Sequence, residues 1–288
     1  MRSKEKIYTI SPSDLTYICY HCAYLKKNFD LYNSGVSAGV TTTLDGIEKT
    51  YFLGNCKKIS QDLPEGEVCD PYNIYFHSKL LRDNKNREFR IKGKCDALIK
   101  FLDESSGIVD FKTSKFENKK EDGKKTKSYE EDLKKKVEEY SPQLHAYSLL
   151  YSNLETDEKF LAEKSRAKEE NKKESVQKIL EKIKKVSIKE ARILGLVFIY
   201  PDDIIEGNRL NIHFSYKYVP VSIDMKNFKD LITKYIDNLY LKEPPPIPDS
   251  CGLKGGDNAK VCLMHKHFYD VKKLKKVGNL FLGIDQSE

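Results

Sequence analysis

The side chains in this sequence best placed to do chemistry are Asp96, Asp110 and Lys112, within the stretch Ile91–Thr113, IKGKCDALIKFLDESSGIVDFKT. Strand side chains alternate between faces, so Asp110 and Lys112 project from one side of an apolar run and Val109 and Phe111 from the other. Asp96 sits on the neighbouring strand and can lie beside them. Burying charge is costly unless it is paired or bound to a metal, which leaves two readings of the patch. Either Lys112 simply neutralises Asp110 or Asp96 at a sheet edge, or the two acids hold a divalent cation, a hard ion that prefers oxygen ligands.

The element that must position these groups is a β-hairpin. Ile91–Phe101 reads as its first strand and Ile108–Phe111 as the returning, buried one. Asp103, Glu104, Ser105, Ser106 and Gly107 supply the turn between them. Further along, Pro142 marks a helix start. Gln143 and Tyr147, four residues apart, share one face of that helix, while Leu144, Leu149 and Leu150 can pack it on a sheet. In the plainer reading Gln143 and Tyr147 only cap that packed surface.

A Gly-x-x-Asp strand (Gly93, Asp96), a turn, an apolar strand ending Asp110-Phe111-Lys112-Thr113, and a following helix with Gln143-x-x-x-Tyr147 together resemble the P-D…(D/E)-x-K nuclease superfamily. The likeness is greatest to its RecB-like branch, which includes the CRISPR-associated RecB-like exonucleases. The resemblance implies an α/β fold, a mixed sheet flanked by helices, and one nuclease domain over residues 1–288. It implies that Asp96, Asp110 and the backbone carbonyl of Phe111 hold Mg²⁺ or Mn²⁺, and that Lys112 completes the catalytic set. Gln143 and Tyr147 would touch substrate or steady the metal-site residues. The family usually adds a His or Glu from an upstream helix. Here Glu48, on an expected helix Leu44–Phe52, or His77, in the segment Tyr72–Leu81, would take that place. Each has a structural alternative, a solvated helix face for Glu48 and a packed aromatic setting for His77.

Cys19-Tyr20-His21-Cys22 lies on a helix expected to run from Ser11-Pro12-Ser13-Asp14 to about Phe29. Two thiols at this spacing suit Zn²⁺ or an iron–sulfur cluster, although buried free cysteines are also common in helices. After Pro244-Pro245-Pro246 the tail carries Cys251, Cys262, His265 and His267. The family resemblance implies a 4Fe-4S cluster closed by cysteines from both chain ends, here Cys19, Cys22, Cys251 and Cys262. The relatives pair one amino-terminal cysteine with three near the carboxyl end, whereas this chain divides them two and two. Zn²⁺ bound by four thiolates, or by three with His265, stays open. Residues 1–30 and 244–270 would be the terminal elements of that site, and Cys56, Cys69 and Cys95 read as structural thiols.

The chain carries 51 Lys+Arg against 44 Asp+Glu, a net charge of +7, which suits a polyanionic partner. Its seven cysteines are an odd number in a sequence without a secretory signal, which argues against a disulfide framework. With no apolar run long enough to span a membrane and no signal pattern at Met1, a cytoplasmic protein is expected. Residues 114–140 and 155–190 are rich in Lys and Glu and read as charged, partly exposed insertions, the first with a partly disordered loop at Phe116–Lys127 followed by a helix from about Tyr129, the second helical and largely solvated. Leu194–Tyr200 is the strongest buried-strand signal, stopped by Pro201-Asp202-Asp203. Asn211–Ile223 alternates as a further strand, and a helix follows at about Asn227–Leu241.

The function expected from these residues is metal-dependent hydrolysis of DNA phosphodiesters, by an exonuclease acting on single-stranded DNA or DNA ends. CRISPR adaptation or recombination proteins are the implied protein partners. The alternative is a catalytically weak or inactive nucleic-acid-binding or assembly subunit on the same fold.

Overall fold

The computed structural model describes residues 6–16, 19–29, 39–69, 74–113, 129–166, 175–205 and 211–246. Its strands are β1 (Tyr8–Ile10), β2 (Gly54–Asn55), β3 (Gly66–Cys69), β4 (Phe76–His77), β5 (Leu81–Arg82), β6 (Glu88–Gly93), β7 (Ala97–Phe101), β8 (Ser106–Thr113), β9 (Ala191–Ile205) and β10 (Asn211–Val221). Its α-helices are α1 (Tyr20–Phe29), α2 (Gly39–Phe52), α3 (Tyr129–Tyr151), α4 (Glu158–Arg166), α5 (Val176–Val186) and α6 (Met225–Leu239). The chain falls into two compact units, Met1–Tyr17 with Ser37–Asp230 and Ile18–Val36 with Leu231–Glu288. The charged stretch expected as an insertion at 114–140 lies outside the described residues up to 128.

A six-stranded sheet in the order β10-β9-β8-β7-β3-β2 organises the larger unit. Only β8 and β9 run parallel in it, and the other pairs are antiparallel. The fold is therefore α/β with a mixed sheet flanked by helices. Alternation along β7, β8 and β9 divides the apolar residues between two faces. Phe52 of α2 joins Ala97, Ile99, Val109, Phe111, Val197 and Ile199 in one core cluster. Phe52 and Phe111 stack there at 5.1 Å. By the same alternation Asp110 and Lys112 face the other way, where Lys112 meets α3. A smaller sheet pairs β6 with β1, β4 and β5.

Several expectations from the sequence are corrected. Ile91–Phe101 is not one strand: β6 ends at Gly93 in the small sheet, and β7 begins at Ala97 in the large one. Gly93 passes so close to Pro12 that an added Cβ would lie 2.7 Å from the proline Cδ, and Asp96 falls in the break just beyond. The expected helix from Ser11 to Phe29 is a short 3₁₀ turn, Pro12–Leu15, followed by a separate α1. Pro142 lies inside α3 rather than at its start. The helix tolerates the lost N–H because buried Leu144, Ala146, Leu150 and Tyr151 hold it in place by packing. Pro201 does not stop β9, which runs on to Ile205. A register shift at His213/Phe214, opposite Pro201–Asp203, gives the proline a bulge to occupy. Within 155–190 the expected helical character is found in α4 and α5, and these helices also bury Leu161, Ile183 and Val186.

Candidate active site

The turn of the β7–β8 hairpin closes as its residue types require. The Phe101 N–H donates to the Ser105 carbonyl at 3.0 Å, Asp103 Oδ1 accepts from the Ser105 N–H at 3.0 Å, and Glu104 takes a positive φ of 65°. Strand pairing sets Ala97 opposite Val109, so Asp96 arrives next to Asp110. The Phe111 N–H donates to Asp96 Oδ2 at 3.0 Å, which fixes the first acid against the strand that carries the second.

Asp110 is 1 % exposed. Lys112 ion-pairs with its Oδ2, yet that oxygen accepts no hydrogen bond of regular geometry. Burial first, and then the negative charge of Asp96, push the Asp110 carboxyl up to about 8, against the opposing pull of Lys112. Burial works against the Lys112 ammonium as well, but Asp110 outweighs it and holds Lys112 above its ordinary range. Lys112 does not offset the burial of Asp110 and the nearby charge of Asp96, so Asp110 is the acid left short of compensation.

From α3, Gln143 Oε1 accepts from Lys112 Nζ at 3.1 Å. Gln143 Nε2 donates to Tyr147 Oη at 3.2 Å. Burial, followed by the Asp110 charge, holds the Tyr147 phenol protonated far above its usual range. The sequence-derived set Asp96, Asp110, Lys112, Gln143 and Tyr147 is thus brought together as one connected group. Two further residues belong to it. Tyr140 presents its ring to Lys112 Nζ at 4.7 Å, and its spacing of three and seven from Gln143 and Tyr147 was the available signal. Lys49 of α2 pairs with Asp96 Oδ1 at 3.0 Å. Nothing in the sequence distinguishes Lys49 from a solvated helix lysine.

Of the two candidates for an additional metal ligand, Glu48 approaches the hairpin. It is buried on α2 and accepts from Thr113 Oγ1 at 3.3 Å. His77 belongs to the small sheet, where it pairs with Lys92 and packs its ring on Phe160 of α4 at 5.3 Å. Among the described residues, no three His, Cys, Asp or Glu side chains stand at metal-ligand spacing. A buried carboxylate oxygen without a regular donor, beside a second carboxylate, nonetheless suits Mg²⁺ or Mn²⁺, which bind through one or two carboxylates and complete their shell with water or phosphate oxygens.

Comparisons with known proteins leave the function to be read from this site. No family model matches the chain, and no curated protein matches it. Among solved structures it is similar to the crystal structure of SSO0001, at 15% identity and a TM-score of 0.41, over 84% of this chain and 81% of that one.

In the second unit, Cys19 immediately precedes α1. The Cys22 N–H points at Cys19 Sγ over 3.5 Å. Hydrogen bonding from the Cys22 thiol, more than from the backbone N–H groups of Cys22 and His21, lowers the Cys19 thiol to about 6 and raises Cys22 in turn. His21 Nδ1 lies 2.5 Å from the Pro245 carbonyl oxygen, and Tyr24 Oη donates to Lys242 O at 3.1 Å. The segment leading to the tail therefore starts beside α1. Cys251, Cys262, His265 and His267 lie outside the described residues. Cys56 and Cys95 are buried and Cys69 is half-buried.

Among the described residues no helix is long and apolar enough to cross a membrane.

Proposed function

We propose that this chain is a metal-dependent nuclease of the P-D…(D/E)-x-K type, RecB-like, hydrolysing DNA phosphodiester bonds in single strands or at DNA ends. The observation that carries the reading is Asp110, buried on β8 with Asp96 beside it and Lys112 on the same face. Asp96, Asp110 and the Phe111 carbonyl would hold Mg²⁺ or Mn²⁺. Such an ion, when bound, supplies a water of lowered pKa and offsets charge on the phosphate.

The chain's own residues do the rest. Lys112 is a fixed ammonium that can hold a phosphate oxygen or orient the attacking water without acting as a base. Gln143 aims it by accepting a hydrogen bond from the ammonium, and Tyr147 anchors Gln143 in turn. Tyr140 closes one side of the ammonium with an aromatic face. Cleavage of end-labelled single-stranded and duplex DNA with Mn²⁺ or EDTA tests the reading. Cleavage that needs the metal and vanishes in Lys112→Ala supports it, and cleavage retained in that variant refutes it.

A second reading has its own observation. Lys49 and Lys112 each pair with one of the two acids, a charge balance that holds without a metal. A binding or assembly subunit with weak or no catalysis would show DNA affinity that does not change in Asp96→Asn or Asp110→Asn, and no Mn²⁺ binding.

For the cysteines, we propose a metal centre built on Cys19 and Cys22 with Cys251 and Cys262, holding 4Fe-4S or Zn²⁺. The lowered Cys19 thiol supports it, since a thiolate is the ligating form. Metal analysis and the visible spectrum of protein purified without oxygen separate the two: a brown protein with bound iron, or a colourless one with bound zinc.

A further inference from the structure

One exposed face of the larger unit is not used by the hydrolytic site. On α2, Ile47 is 60% and Tyr51 55% exposed, and on β10 Phe214 is 39% and Tyr216 41% exposed. Isolated apolar side chains are normal on a surface, but a contiguous aromatic group marks a contact site. The rings are held in place. Tyr216 packs edge-on against Phe52 at 5.0 Å and against Tyr51 at 6.4 Å, and its hydroxyl donates to Lys58 O at 2.7 Å. Lys58 Nζ donates to Tyr51 O at 3.1 Å and stands 5.8 Å from the centre of the Tyr51 ring.

Register places this face near the hydrolytic site but on the other side of the sheet, since Tyr216 packs on Phe52 of α2 while Lys112 meets α3. Thr113 pairs with Ile199 and Ile199 with Tyr216, so Tyr216 stands two strands across from the residue after Lys112. That is about 10 Å at ~4.8 Å per strand. Two residues along β10, Tyr218 on the same face walls a cavity of about 290 Å³ with Ser60, Asp62, Leu63, Ile193 and Pro220.

We propose that this face binds an unpaired nucleic-acid strand, its bases stacking on Tyr51 and Tyr216 and its phosphates drawn to Lys58. Fixed aromatic faces beside a positive charge complement flat bases on a polyanionic backbone. To reach Asp110 and Lys112, which face away from α2, the strand would pass round the end of β8 by way of Asp96, which Lys49 of α2 already touches, a step that rests on the nuclease reading. The binding itself does not.

The test is fluorescence anisotropy of labelled oligo(dT) and oligo(rU) in EDTA, which stops metal-dependent cleavage. Tyr51→Ala and Tyr216→Ala should each weaken binding roughly 5- to 150-fold, the loss of one base–aromatic stack. Tyr51→Phe should bind as wild type, and Lys58→Gln should flatten the salt dependence by about one unit of slope. The two oligonucleotides distinguish a DNA strand from an RNA strand. Tyr51 is the more exposed of the two, so its variant stays informative if Tyr216→Ala unfolds. Binding unchanged in folded Tyr51→Ala overturns the proposal, as does a Tyr51→Ala effect on oligomer mass alone. Tyr51-dependent binding without any cleavage would keep this face and remove the nuclease reading. Cleavage with Tyr51-independent binding would do the reverse.

Discussion

Lys112 Nζ donates to Gln143 Oε1 over 3.1 Å, joining the end of β8 to a residue of α3 that lies 31 positions further along the chain. The same ammonium pairs with Asp110 and lies on the Tyr140 ring. A free lysine side chain has about 2 kcal/mol of rotamer entropy to lose when fixed. In this site folding has already fixed it, so a phosphate meets a charge that is in position.

Gln143→Ala removes the aiming group but leaves Lys112, Asp96 and Asp110 in place. Cleavage should fall about 10- to 100-fold, the range found when a group that orients a metal-site residue is lost. Stability should drop by ~1–3 kcal/mol, since the hydrogen bonds to both Lys112 and Tyr147 are lost. Metal-dependent rate and denaturant midpoint, measured on the same preparation, check both. A rate equal to wild type would show that Gln143 is merely packing.

The raised Asp110 carboxyl makes metal binding and stability depend on pH in opposite senses. Its ordinary value is near 3.8 and its folded value about 8, so between these the folded protein keeps a proton that the unfolded chain has released. Stability from this group therefore falls as pH rises through that window. Asp110→Asn has no such proton, and its denaturant midpoint should gain on wild type from about pH 4 to about pH 8 and level off above that. A divalent ion must displace the same proton, so Mn²⁺ affinity should climb towards pH 8 and level off above it. Calorimetry in buffers of different ionisation heat reads the released proton directly. An affinity flat across that range would remove the assignment of Asp110 as a ligand.

Lys49 pairs with Asp96 at 3.0 Å from a helix on the other side of the sheet, with side-chain exposures of 23% and 18%. Lys49→Met leaves two carboxylates facing the single ammonium of Lys112. Without metal, stability should fall by roughly 1 kcal/mol, since the pair is partly solvated and screened. Added Mn²⁺ should then raise the melting temperature more than in wild type, because the ion offsets a larger repulsion. Equal increments in the two proteins would mean that Lys49 does not share charge with the metal position.

How much of this was legible in the sequence depended on the range of the signal. Asp110 and Lys112 share a face through strand alternation, and Gln143 and Tyr147 through helical spacing, so both pairs were readable locally. Asp96 was placed correctly beside Asp110 but for an incomplete reason. The apolar run Ile91–Phe101 gives no sign that it divides between two sheets, and that break delivers the acid. Lys49 was invisible, because its partner Asp96 is distant in the sequence and a helix lysine looks the same whether solvated or paired. Proline misled twice. Pro142 and Pro201 read as boundaries, yet tertiary packing carries α3 through one and a register shift carries β9 past the other.

Gly93 tests whether the packing above the site and the chemistry in it are one system. A Cβ at this position would lie 2.7 and 2.9 Å from the Pro12 ring carbons and 3.2 Å from Tyr147 Cε1. The proline ring cannot rotate away, so Gly93→Ala should cost ~1–3 kcal/mol, as overpacking does. The strain that Pro12 cannot relieve passes to Tyr147, whose hydroxyl anchors Gln143, and the cleavage rate should fall along with stability. Gly46 provides the control. It lies on α2 with nothing within 4 Å of an added Cβ, so Gly46→Ala should stabilise by up to ~1 kcal/mol through helix propensity alone. Cleavage there should be unchanged. If Gly93→Ala loses stability but keeps full activity, Tyr147 is a packing residue and the positioning chain ends at Gln143.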